Sequence, residues 1–149
     1  MQGGLYFLYR RQRDPRTVNA SRTQRDRLAQ VMQGIHQRGW CDGTGGNFSV
    51  VKQRHPLQLL MAPSGVDKGE VQADQLIVVD GDGNVVNGEG KASAETALHL
   101  RIVEANNAGA VLHTHSVPGT VLSRHYEDEG GVALEGWEML KGLDGINTH

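Results

Sequence analysis

The segment GAVLHTHS, residues 109–116, joins an apolar run to two histidines separated by one residue. Side chains alternate across a strand, so His113 and His115 project to the same face. Two neutral imidazoles on one face suit a divalent ion such as zinc. Two ordinary histidines at a strand end are the plain alternative, and so short a motif does not decide between them. A catalytic zinc centre takes a third protein ligand and leaves one position open. His99, His125, His149 and several carboxylates are available for that place. His99 and Glu95 are four residues apart on one helix and share a face, but spacing forces no choice.

A second group is rich in glycine: GTGGN at 43–47 and PSG at 63–65. Backbone N–H groups of such loops, with the side chains of Asn47 and Ser64, can cradle a phosphate. Ser93, at the start of a helix, adds a hydroxyl and the favourable end of the helix dipole. Taken singly each loop is an ordinary tight turn, and neither has the spacing of a Walker or dinucleotide-binding motif. A third feature is GWEMLKG at 136–142, where Glu138 stands between Trp137 and Met139. Partial burial there would raise its pKa and suit it to acid/base work. By spacing alone, an exposed helix glutamate is the simpler reading.

Regular elements must position these residues. Ser21 suits a helix N-cap, and Leu28, Val31, Met32 and Ile35 fall on one helical face, closed by Gly39. Phe48 to Lys52, LQLLMAP at 57–63 and QLIVVD at 75–80 read as strands, with GDGN at 81–84 turning into a strand that begins at Val85. Ser93 caps a second helix whose inner stripe is Ala94, Ala97, Leu98, Arg101, Ile102 and Ala105. The strand 110–115 follows, then a helix over about 117–126 with Pro118 in its first turn. GGVALEGWEML predicts a short strand and another helical turn. Strands that begin as a meander and then alternate with helices predict a sheet of mixed direction covered by helices.

With 149 residues and a net charge of −2, the chain fits one domain and carries no global pull toward nucleic acid or membrane. Neither is expected as a partner. Charge is uneven: residues 1–40 hold eight arginines against Asp14 and Asp26. RRQRDPRTVNA has neither helical nor strand periodicity, and residues 1–18 read as a disordered N-terminal extension. A single cysteine, Cys41, fits a reducing compartment.

In order along the chain, GTGGNFSV, MAPSGVDKG, KASAETALH and AVLHTHS resemble the class II aldolase/adducin family. APSGV with its following lysine, HTHS and EMLKG look most like the methylthioribulose-1-phosphate dehydratase branch, in methionine salvage. The resemblance runs from about Thr17 to the last residue. It implies an α/β fold over residues 19–149: a three-layer α/β/α class II aldolase-like domain with a central mixed, largely antiparallel sheet, incomplete at the C-terminus. It implies that His113 and His115 ligate one Zn2+ per subunit and that Glu138 is the catalytic acid/base. Gly46, Asn47, Ser64, Gly65 and Ser93 match positions that contact substrate phosphate in related aldolases. Where those aldolases have a second serine, Ala94 stands here. Glu95 matches their base or metal ligand and ranks below Glu138 as an additional acid/base.

The implied reaction is zinc-dependent dehydration of 5-methylthioribulose 1-phosphate to 2,3-diketo-5-methylthiopentyl 1-phosphate. A zinc-dependent sugar-phosphate aldolase or 4-epimerase is the alternative within the fold, and a catalytically inactive scaffold the alternative without chemistry. A cytoplasmic homo-oligomer, tetrameric when intact, is implied as well. The family draws a third zinc histidine from a later strand, which falls beyond residue 149. His149 matches an earlier position and is not taken as that ligand, so a C-terminally shortened chain is expected.

Overall fold

The computed structural model describes residues 5–9, 20–143 and 145–146. Its centre is a six-stranded sheet of Leu5–Tyr9 (β1), Asn47–Arg54 (β2), Leu57–Met61 (β3), Ile77–Asp80 (β4), Val85–Asn87 (β5) and Ala110–Thr114 (β6). The strand order is β1-β6-β2-β3-β4-β5. All its pairings are antiparallel, so the sheet expected to be mixed runs in alternating directions throughout. In the meander from β2 to β5, short turns join β2 to β3 and β4 to β5, as antiparallel neighbours permit, while residues 62–76 link β3 to β4.

Three helices complete the fold: Ala20–His36 (α1), Thr96–Asn106 (α2) and Val117–His125 (α3). Leu28, Met32 and Ile35 of α1 pack on Phe48, Leu60 and Val78 on one face of the sheet. On the other face Leu100 and Val103 of α2 pack on Leu59, Met61, Ile77, Val79 and Val111. Adjacent strand residues such as Leu59 and Leu60 enter different cores because a strand sends alternate side chains to opposite faces. The result is the expected three-layer α/β/α arrangement. No helix among the described residues is long and apolar enough to cross a membrane.

Among the described residues helix α1 spans Ala20–His36, so Ser21, the expected cap, lies within the helix. It ends where Gly39, at φ +69°, donates its N–H to His36 O at 2.8 Å. Val31, assigned to its inner stripe, is 42% exposed because Ala29 completes the buried arc in its place.

Helix α2 differs more. It begins at Thr96 with Glu95 as N-cap, and Ser93 lies in the preceding turn. Its buried residues are Thr96, His99, Leu100 and Val103, spaced i, i+3, i+4 and i+7. Of the predicted stripe Ala94, Ala97, Leu98, Arg101 and Ala105 are exposed and Ile102 is half-buried. Counting aliphatic residues selected the wrong arc, because the buried arc contains a histidine and a threonine.

Two further differences lie outside the core. Within the expected extension, Leu5–Tyr9 pairs with β6, Leu5 opposite Thr114 and Tyr9 opposite Ala110. That run is wholly leucine and aromatic, which favours a strand. The remainder of residues 1–18 lies outside the described residues. Residues 131–137 form no strand, and the helical turn expected after them is a 3-10 turn over Glu138–Gly142.

Candidate active site

Strands β2 and β6 pair with Asn47 opposite His113 and Ser49 opposite Val111. Because Val111 packs toward α2, the alternation puts Asn47, Ser49 and His113 on that same face. Their partners come from α2 and the turn before it. Glu95 Oε2 lies 2.5 Å from His113 Nδ1 and accepts from Asn47 Nδ2 at 2.8 Å. Ser93 Oγ accepts from the Glu95 N–H at 3.2 Å and so fixes the carboxylate's own backbone. One helical turn on, His99 Nδ1 meets Ser49 Oγ at 2.8 Å.

The electrostatics follow from this packing. Burial acts to raise the Glu95 carboxyl. The hydrogen bonds from Asn47 and His113, with the nearby His113 and His99 rings, outweigh it and hold Glu95 below its ordinary value. Burial pushes His99 down to about 4; Glu95 opposes that shift and His113 adds to it. His99 is therefore a neutral imidazole at pH 7, and its Nε2 is buried with no hydrogen-bond partner among the described residues. His115 is also lowered, first by partial burial and then by His113, with Glu95 opposing.

The His113 and His115 rings lie side by side, with centroids 4.6 Å apart and planes tilted by 41°. The His115 N–H donates to Trp40 O at 2.7 Å, which fixes the chain just beyond the strand. Two adjacent imidazoles, one with its Nδ1 held by a carboxylate, fit the way histidine ligands are oriented for a metal. Among the described residues no group of three or more His, Cys, Asp or Glu side chains is placed to hold an ion. His125 does not join the His113–His115 pair; its ring packs edge-on against Tyr126 at 4.7 Å. His149 lies outside the described residues.

The glycine loop reaches the same place. Gly46 has φ +75°, and a Cβ there would stand 2.7 Å from His113 O and 3.2 Å from the Phe48 ring. Only glycine allows the loop to lie against the histidine strand. An open pocket of about 310 Å³ joins this loop to His115 and α3, with Asp42, Gly45, His115 and Thr120 among its lining. A larger cleft of about 610 Å³ beside Arg25 and Asn87 contains none of the predicted site residues. Ser64 and Gly65 are exposed. The Ser64 N–H donates to Lys91 O at 2.8 Å, which ties their loop to the segment leading into Ser93. Asn47, expected at phosphate, has its amide on Glu95 instead.

Glu138 stands apart in character. It lies on the 3-10 turn, its side chain is 73% exposed, and its carboxylate accepts from Lys141 Nζ at 2.9 and 3.1 Å. This agrees with the simpler reading from spacing, an exposed glutamate: the flanking Trp137 and Met139 are themselves 67% and 81% exposed and do not cover it. Sequence reading assigned no role to Ser49 or Lys68, both buried. Ser49 carried no distinct signal, because Asn47 on the same face of β2 is polar as well.

The chain belongs to the Class II Aldolase and Adducin N-terminal domain family, which matches residues 26–145. Among curated relatives, the methylthioribulose-1-phosphate dehydratase of Sorangium cellulosum (strain So ce56) is 40% identical over 124 residues, which are 82% of this chain and 58% of that one. The methylthioribulose-1-phosphate dehydratase of Pectobacterium carotovorum subsp. carotovorum (strain PC1) is 41% identical over 131 residues, covering 85% of this chain and 62% of that one. The chain thus spans about three fifths of the length of these relatives. Among solved structures, YgbL from Escherichia coli superposes with a TM-score of 0.65 at 30% identity, over 70% of this chain and 50% of that one.

Proposed function

We propose that this chain carries the metal- and phosphate-binding part of a hydro-lyase that dehydrates 5-methylthioribulose 1-phosphate to 2,3-diketo-5-methylthiopentyl 1-phosphate, in methionine salvage. The observation that carries this reading is the His113–His115 pair, with Glu95 fixing the His113 ring beside the Gly46 loop. The dehydratase names of relatives about 40% identical support it. His113 and His115 would hold a zinc ion, which when bound supplies Lewis-acid polarisation of the C2 carbonyl. The loops at 43–47 and 63–65, with Ser93, hold the phosphate and so fix the reacting carbons. Glu138 takes the C3 proton and delivers it to the departing C4 hydroxyl, which leaves as water. The enol that remains tautomerises to the diketone.

A homo-oligomer in the cytoplasm goes with this reading. The exposed Val117, Val121, Trp137 and Met139 suit burial against another subunit. The free thiol of Cys41 suits a reducing compartment.

The position of Glu95 favours a second reading. It is the carboxylate that touches His113, so an aldolase or 4-epimerase of a sugar phosphate that uses Glu95 as base is the rival. The purified, zinc-loaded protein is assayed for diketone formation by mass spectrometry, with Glu138→Gln and Glu95→Gln beside the wild type. The dehydratase reading expects Glu138→Gln to lower kcat by about a hundredfold or more while zinc content is unchanged. Full dehydration by Glu138→Gln, or aldol cleavage that only Glu95→Gln abolishes, overturns it.

A further inference from the structure

Lys68 is 2% exposed, yet it is a lysine. Its Nζ donates to Thr44 O at 3.1 Å and to Val66 O at 2.8 Å. Thr44 belongs to the first glycine loop, and Val66 follows the second. The Lys68 N–H adds a longer contact to Gly43 O at 3.4 Å. One side chain therefore ties together the two loops that the proposed function places at phosphate.

The charge balance around it is incomplete. Among the described residues Lys68 forms no ion pair, and a buried ammonium with only carbonyl acceptors is costly to keep charged. Burial lowers its pKa, opposed by Cys41 and by Asp67. Neither neighbour forms a direct ion pair with it among the described residues. The Cys41 thiol, pushed up by burial to about 11, is uncharged at pH 7. Asp67 directs its Oδ1 to the Gly69 N–H at 2.7 Å. A lysine serving only as a strut would be better replaced by an apolar residue or better paired with a carboxylate. Among the described residues no carboxylate pairs directly with this ammonium, and a phosphate monoester held by the two loops would supply a compensating negative charge.

We infer that Lys68 is the positioning residue of the phosphate subsite: its buried ammonium locks loops 43–47 and 63–67 together and supplies the standing positive charge that selects a phosphorylated ligand over an uncharged sugar. This rests on the reading of those loops as the phosphate site. Lys68 acts through the loops and their field and makes no contact with the reacting carbons.

The test uses inorganic phosphate as probe, with calorimetric titration at low salt and denaturant unfolding without phosphate. Lys68→Met removes charge and donors; Lys68→Gln keeps a donor for the carbonyls and removes the charge. Both are expected to weaken phosphate binding by about tenfold or more, and Lys68→Gln, which still donates to the Thr44 and Val66 carbonyls, to do so with a phosphate-free unfolding midpoint close to that of the wild type. A purely structural lysine gives the opposite pattern, a lowered midpoint with phosphate affinity retained, and that result overturns the inference. In lysine-labelled wild type, which needs no variant to fold, phosphate is expected to move the Lys68 ammonium resonance. A resonance that stays still at saturating phosphate also overturns it.

The two readings fail separately. Equal phosphate binding by all three proteins removes Lys68 and leaves the dehydratase reading intact. Lysine-dependent phosphate binding without dehydration upholds Lys68 and removes the dehydratase. A wild type that binds no phosphate overturns the phosphate subsite and Lys68 together.

Discussion

The α2 face of the sheet and the segment from 117 to 146 carry the two halves of the proposed chemistry, and they are built differently. On the sheet face Asn47, Glu95 and His113 form one chain of contacts, and Ser49 with His99 forms another. His99 and His113 are 0% and 2% exposed. Among the described residues from 117 to 146 none is buried, and the Glu138 side chain is 73% exposed, with Lys141 of its own turn among its partners. A buried polar side chain is held by the cost of leaving it unpaired, whereas an exposed one can trade its partner for water. The histidine half is thus pre-organised by the packing of this chain. The Glu138 half gains no such support from the sheet.

The contrast can be broken most forcefully in the core. Phe48→Ala removes a ring that is 0% exposed beneath the Gly46 loop. It should cost about 3–5 kcal/mol, read by urea or guanidinium unfolding. Trp137→Ala, the same kind of truncation on the other segment, should change stability by less than about 0.5 kcal/mol. Similar losses at both positions would show that residues 117–146 are packed after all.

Acid is the next largest probe. Between its folded value of about 4 and its ordinary value of 6.5, His99 binds a proton in the unfolded chain but not in the folded one. Stability therefore rises with pH across that interval and is lost on acidification, by roughly 3 kcal/mol in all, with the loss complete below about pH 4. Glu95, also held low, contributes in the same direction, since a depressed carboxyl loses its stabilising charge as pH falls. Unfolding midpoints measured from pH 7 downward should slope in the wild type and flatten in His99→Gln. Parallel profiles would remove His99 from the buried network.

Ser49→Ala asks whether the second contact chain matters by itself. It leaves His99 Nδ1 buried without its partner and should cost about 1–3 kcal/mol in the same unfolding experiment. Lys141→Ala should have the smallest effect. It breaks an ion pair whose side chains are 41% and 73% exposed, and less than about 0.5 kcal/mol is expected. A larger loss would mean that Glu138 is anchored more firmly than its exposure suggests.

Much of this architecture was legible from local patterns. The alternation in β2, the apolar runs of β3 and β4 and the i, i+4, i+7 spacing of Leu28, Met32 and Ile35 are short-range signals that burial imposes on a sequence. His113 and His115 were legible for the same reason, since one strand fixes both. The contacts of the site were not. Glu95 to His113 spans 18 residues, and Ser49 to His99 spans 50. Only the pairing of β6 with β2 and the docking of α2 bring those residues together. The α2 face was misread because its buried arc is partly polar, and a polar arc has no hydrophobic period to detect. Lys68 entered only as part of a family motif and without a role, because a lysine that follows a loop ordinarily faces water. The exposure of Glu138 was legible, since sequence neighbours do not cover a side chain unless another element covers them; its acid/base role came from the family resemblance alone.

Gly46 also sets a rule for anyone who would transplant this site. Its missing side chain leaves room for the carbonyl of His113, so loop and strand have been fitted to each other at a distance that no other residue tolerates. The His-Thr-His motif is therefore not a portable cassette. A scaffold that accepts the two histidines must also accept a glycine turn lying across their backbone, and the two segments travel as one part.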